Sequence, residues 1–308
     1  MRLTAGGGLL ALVVAGVDAD VVSETLVRAD VRLVAPGVLG LVAMHAVTAA
    51  GWRAVVAAGT PARLRMRDAL RVHYAAQALG AVTPGNIGGD VFRVTAMRTA
   101  GHLWTTSVGP VVVQRATSYG ALALLSLAGM ALLGHAGLGP TIVLVGMAVS
   151  TCLAATAWLL LAPPVALRRI AARLARSVGV GPVTFLDDAA PRWGRAALIG
   201  LLNGLAFHAG SVVLTWLVLV GVDRSMATTP VLAALVVARL TLAVPISPSG
   251  IGFQEGALVA LLSGVAVPTQ PAVAGMLLAR LAMVVTTLVG IGIASVGAGK
   301  GELATATR

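Results

Sequence analysis

Six apolar runs, at 3–22, 33–58, 105–134, 140–162, 196–221 and 272–298, are each long enough for a bilayer-spanning helix, which needs about 20 residues. Two more apolar regions, 72–104 and 226–267, are cut in the middle by proline and glycine. The first cut reads TPGNIGGDVFR at 83–93 and the second SPSGIGFQEGA at 247–257. Proline lacks the amide proton a helix needs, and glycine admits left-handed backbone, so both cuts end helices. Lipid offers broken backbone no hydrogen bonds, so such a break survives only inside protein or against a wet cavity. The expectation is an all-α integral membrane protein with about six spanning helices and two broken, re-entrant helical hairpins.

Composition supports this class. Hydrophobic residues make up 58% of the chain and charged residues 11%, against about 25% charged in soluble domains. Residues 1–308 therefore read as a single transmembrane domain. The net charge of +11 comes mostly from arginines lying between apolar runs, where they orient a membrane protein, so no nucleic-acid partner is expected. Cys152 is the only cysteine and cannot form an internal disulfide; within its apolar run it reads as a buried, inert thiol. The N-terminal 20 residues resemble a signal peptide, but Val17-Asp18-Ala19 is a poor cleavage site and an uncleaved first span is expected.

Positive charge assigns the sides. Arg63, Arg65, Arg67 and Arg71 in 59–71, and the arginines of 163–195, belong in the cytoplasm. The acidic segment 18–32 belongs outside, and Arg2, Lys300 and Arg308 put both termini inside. All loops agree if each broken region enters and leaves on one side, the first from the cytoplasm and the second from outside. The stretch LRRIAARLARSVG reads as an amphipathic helix on the anionic inner leaflet.

Opposed hairpins imply an inverted repeat, with halves at about 60–134 and 226–298. Both cuts carry [Ser/Thr]-Pro-x-x-Ile-Gly followed by an acid. Asp90 precedes Arg115 by 25 residues, and Glu255 precedes Arg280 by the same 25. Broken helices in inverted halves can aim their N-termini at an anionic substrate near the midplane. Asp90, Arg115, Glu255, Arg280, Arg239 and Asn86 are the candidate substrate-binding residues. Pro84, Gly85, Gly88, Gly89, Pro248, Gly250 and Gly252 are the candidate hinge and phosphate cradle. Arginine at membrane depth seeks a cavity or a partner; here it can hold a phosphate or neutralise an acid, Arg115 with Asp90 or Glu255 and Arg280 with the other. Asp90 can also serve simply as a helix N-cap.

His45, His208, Asn203 and Gln77 stand singly in apolar surroundings and read as helix contacts. Tyr74 and the tryptophans read as interfacial anchors or packing. The chain has no Walker loop, no metal-ligand spacing and no nucleophile with its base at a recognisable interval. No catalytic residue, metal or cofactor is expected.

The stretches GWRAVVAAG, TPGNIGGDVFR, VVVQRATSYGALAL and PISPSGIGFQEGALVALL, in that order, resemble the lysylphosphatidylglycerol synthase transmembrane-region family, a flippase-like domain. The likeness covers about residues 5 to 298. Pro84, Gly88, Gly89, Asp90 and Arg93 match its first block, and Pro245, Ser247, Gly250, Gly252, Glu255 and Gly256 its second. Two positions depart: Gln114-Arg115 stands where the family usually has Asp-Arg, and Gln254-Glu255-Gly256 where it has Arg-Glu-Gly. The resemblance implies re-entrant elements and transfer of a lipid between leaflets, of aminoacylated phosphatidylglycerol in the best-known members. Related domains are associated with polyprenyl-linked sugars, hopanoids or glycosyltransferases. The chain ends ten residues after its last span, so lipid synthesis is not expected of it.

The functional expectation is a lipid flippase moving an anionic or aminoacylated phospholipid, or a polyprenyl-linked lipid, across a bacterial plasma membrane. The alternative is a non-transporting membrane partner of a cell-envelope glycosyltransferase or lipid synthase. A membrane enzyme acting on polyprenyl phosphates is the weakest reading.

Overall fold

The computed structural model describes residues 27–81, 85–161, 190–243, 252–266 and 268–298, with Glu24 and Thr83. The expected span at 3–22, most of the arginine-rich segment 163–195, the C-terminal residues, and Pro84, Pro245, Ser247, Pro248 and Gly250 lie outside them. Among the described residues all regular structure is helical: α1 (Val31–Gly59), α2 (Met66–Ala81), α3 (Ile87–Thr99), α4 (Trp104–His135), α5 (Pro140–Leu161), α6 (Ala190–Val222), α7 (Thr228–Ala238), α8 (Phe253–Ser263) and α9 (Thr269–Ala298). A 3-10 turn over Arg239–Ala243 extends α7.

Helices α1, α4, α5, α6 and α9 are long and apolar enough to cross a membrane. They coincide with the five unbroken apolar runs that fall within the described residues. Each interrupted region forms a pair of short helices, α2 with α3 and α7 with α8, divided at its Pro/Gly motif.

Small residues set how the long helices meet, since close backbone approach holds helices together in lipid. A side chain at Gly37 would lie 3.1 Å from the Leu214 carbonyl, one at Gly51 2.0 Å from Asn203, and one at Gly59 2.5 Å from the Trp193 ring. Ascending positions on α1 thus meet descending positions on α6, and the two are antiparallel. At one end the Asp30 amide donates to the Gly221 carbonyl at 2.7 Å, and Arg224 pairs with Asp30. At the other end Trp193 packs over Gly59 and Gly109. Helix α4 runs parallel to α6, with Thr117 against Gly200 and Ser118 against Gly204.

Both ends of the first short pair lie at the Trp193 end. Helix α2 begins beside the end of α1, where Arg53 Nε donates to the Leu64 carbonyl at 2.8 Å, and α3 leads directly into the start of α4. Both ends of the second pair lie at the Gly221 end. Helix α7 follows the end of α6, and Gly264, just after α8, packs on Leu138 in the turn after α4. Helix α9 descends between them, from Gly275 against Leu219 to Gly290 against the Tyr74 carbonyl. The main apolar core surrounds the second pair and includes Leu122, Met130, Leu219, Val231, Leu258 and Leu262.

Two expectations about single residues need amendment. Cys152 is exposed rather than buried, because α5 packs chiefly on α4 and presents its other faces outward. Asp90 is not the N-cap of its helix: Asn86 holds that position with left-handed backbone at φ 58°, and the Gly88 amide is capped by Thr83 Oγ1 at 2.9 Å.

Candidate functional site

The two motifs build similar local structures. After the first break, Asp90 lies in the opening turn of α3. Its carboxylate accepts from Arg115 Nε at 2.7 Å. The same guanidinium donates through Nη2 to the Gly85 carbonyl and through Nη1 to the Tyr119 hydroxyl, each at 2.7 Å. After the second break, Glu255 lies in the opening turn of α8, reaches back to the Gly252 amide at 2.8 Å, and accepts from Arg280 Nε at 2.5 Å. Gly252 takes φ 80°, a conformation glycine alone adopts readily. Each acid therefore pairs with the arginine 25 residues after it, within its own motif rather than across.

Arg115 is eleven residues in from Trp104, and Arg280 eleven in from Thr269. At 1.5 Å per residue, each is about 16 Å from its helix start, about a third of the way along helices of 32 and 30 residues.

A cavity of about 190 Å³ opens around the first pair, lined by Gly85, Asn86, Gly89, Asp90, Arg93 and Arg115 among others. A second, of about 220 Å³, is lined by Asn86, Arg239, Gln254 and Arg280. Gln77, Asn86, Phe207 and Leu242 line both, so the cavities adjoin. Glu255 sits behind Arg280 with 1% of its surface exposed. Gly88 does not line either cavity, and a side chain there would meet Thr83 at 2.8 Å. Gly89 is equally confined, 2.6 Å from the Ala76 carbonyl. The amides of Asn86, Gly88 and Gly89 already have acceptors within the turn.

Arg93, one turn after Asp90 on α3, joins this site, although in the sequence it stands out only as part of the first motif. It is 8% exposed yet lines the first cavity. Nη1 donates to Gln114 at 3.2 Å and Nη2 to His73 Nδ1 at 2.7 Å, while Asp90 Oδ1 is 3.9 Å away. A guanidinium can only donate, so His73 Nδ1 accepts and its proton sits on Nε2, facing His45 Nδ1 at 3.4 Å. Gln77 reaches the same His45 nitrogen at 3.2 Å. No local stretch of sequence displays these contacts, because the partners lie 28 and 32 positions apart. Asn203 bonds the Val47 carbonyl, and Tyr74 the Val42 carbonyl.

Ser118 Oγ lies 3.0 Å from His208 Nε2, a pairing 90 residues apart that no local spacing could reveal. His208 Nδ1 has no partner. A Ser–His nucleophile requires a third group to orient the imidazole, and none stands there among the described residues.

Arg239 differs from the other arginines. Among the described residues it has no carboxylate partner and no hydrogen bond, and it shares its cavity with Arg280. An arginine at membrane depth costs at least about 2.5–3.5 kcal/mol and favours a cavity or a partner; among the described residues Arg239 has the cavity and no carboxylate.

A bundle of membrane-length helices with broken helices and arginine-lined cavities between them defines an integral membrane protein with a polar interior. Residues 1–290 match the lysylphosphatidylglycerol synthase TM region family, and the chain belongs to it. No curated protein matches the chain. Membership makes this a membrane domain of a lipid-related family. Gln114 accepts from Arg93 without neutralising it, and Gln254 accepts from Arg280 at 3.3 Å without adding a charge to the second cavity.

Proposed function

We propose that the protein moves a lipid with an anionic headgroup between membrane leaflets. Anionic or aminoacylated phospholipids and polyprenyl-linked lipids are the candidate classes. The observation that carries this reading is Arg239, a cation without a carboxylate partner among the described residues, facing a cavity that adjoins the one around Asp90 and Arg115. In this reading α2–α3 and α7–α8 are re-entrant hairpins opening to opposite sides of a plasma membrane, the two halves of an inverted repeat. The first span at 3–22 completes six crossings, with both termini cytoplasmic. The headgroup enters from one side, is held by Arg115, Arg239 and Arg280 near the midplane, and leaves to the other. Asp90 and Glu255 neutralise Arg115 and Arg280 while the site is empty. Asn86 contacts the headgroup from the wall shared by both cavities. The breaks, with Gly85, Gly88, Gly89 and Gly252 and, outside the described residues, Pro84, Pro248 and Gly250, act as hinges.

The test is flipping of fluorescent anionic lipids in proteoliposomes containing the full chain. Wild type transports unaided, and Arg239→Gln slows transport at least tenfold while circular dichroism and the melting temperature stay unchanged. Transport seen only when a lipid-modifying enzyme or glycosyltransferase is added, or an Arg239→Gln variant as fast as wild type, overturns the proposal.

A further inference from the structure

The distribution of charge between the two cavities restricts which headgroup fits. The first cavity holds Arg93 and Arg115 against the single carboxylate of Asp90. The second holds Arg239 and Arg280, with Glu255 the carboxylate paired to Arg280. Each therefore carries one positive charge that no described acid balances. The chain segment between Leu242 and Gly252 has no ionisable side chain to alter that count. His45, His73 and His208 add no negative charge in any protonation state, and Tyr119, which also lines the first cavity, meets Arg115 through its hydroxyl.

The two surplus charges line different cavities. In the first cavity the surplus belongs to Arg93, because Arg115 is committed to Asp90 and the Gly85 carbonyl. In the second it belongs to Arg239, because Arg280 is committed to Glu255. A single phosphate seated in one cavity leaves the surplus charge of the other without a counter-ion. Asn86 and Gln77 lie on the wall common to both cavities, where neutral amides can bridge the linker between two anionic groups.

We propose that the site takes a headgroup bearing two anionic phosphorus centres in tandem, one for each cavity. A prenyl diphosphate and a phospholipid with two phosphodiesters share this chemistry. The inference rests on the reading of the protein as an anionic-lipid translocator.

The experiment measures binding by native mass spectrometry to the full chain in detergent, using two matched pairs of probes. Farnesyl diphosphate is compared with farnesyl phosphate, and cardiolipin with phosphatidylglycerol. A single phosphomonoester already approaches two charges at neutral pH, about the charge of the two phosphodiesters of cardiolipin, so farnesyl phosphate tests two charges held on one centre. The diphosphorus member of at least one pair is expected to bind tenfold or more tightly than its partner, and the pair that shows it names the source. Arg239→Gln and Arg93→Gln should each erase that preference while leaving weaker binding of the monophosphorus lipid. Equal binding within both pairs overturns the inference and leaves anionic-lipid transport standing; no binding by any of the four lipids overturns both. Should Arg93→Gln fail to fold, Arg239→Gln alone decides, and an undiminished preference in that variant also overturns the inference.

Discussion

Arg239 and Arg280 share a cavity, yet opposite consequences follow from changing their surroundings. Glu255 is 1% exposed and answers both Arg280 and the Gly252 amide. Removing one partner of a buried pair strands the other charge, a loss of about 3–5 kcal/mol. Glu255→Gln should therefore lower the melting temperature in detergent markedly, whereas Arg239→Gln, which removes a charge without a partner, should leave it unchanged or raise it. Equal losses in both variants would contradict the assignment of Arg239 as the uncompensated cation. At this scale the sequence was informative about the pairs and silent about the networks. The 25-residue intervals from Asp90 to Arg115 and from Glu255 to Arg280 were visible as repeats. The His45–His73–Arg93 chain joins three helices, and no single stretch displays it.

The elements divide according to whether their contacts involve side-chain bulk or its absence. A methyl group at Gly290 would sit 2.1 Å from the Tyr74 carbonyl, a backbone atom that can yield only if α2 moves. Gly290→Ala should thus cost about 1–3 kcal/mol by overpacking, whereas Gly292→Ala, with open space around it, should leave thermal stability unchanged. Similar losses in the two variants would argue against tight α2–α9 contact. The α1–α6 junction offers a pH test outside the spanning segments. The Arg32 amide, then Arg224, holds the Asp30 carboxyl below its ordinary value of 3.8. A lowered folded-state value means the contact stabilises above that ordinary value and is lost as pH falls through the lowered one. Asp30→Asn should remove this acid-side decline in melting temperature; a decline identical to wild type would show that Asp30 does not contribute. Long apolar runs foretold α1, α4, α5, α6 and α9 because a spanning helix must hide its amides over a fixed length. Which helix covers which face was not legible, and so Cys152 was expected to be buried although α5 has one main neighbour.

For the molecule as a whole, the arrangement of the two short helix pairs matters most. Their breaks could be read from proline and glycine, and the sides to which they open could be argued from arginine-rich loops alone. Adjacency of the cavities could not be read, because it depends on Asn86 in one half and Leu242 in the other approaching a common wall. The decisive measurement is sided thiol labelling in intact cells and inverted vesicles with a membrane-impermeant maleimide, on a Cys152→Ser background. Arg67→Cys and Thr99→Cys report the two ends of α2–α3; Thr229→Cys and Gln270→Cys report the ends of α7–α8 and its exit into α9. The account predicts labelling of the first two only from the cytoplasmic side and of the last two only from outside. Labelling of all four from one side, or of either pair's two ends from opposite sides, would contradict it.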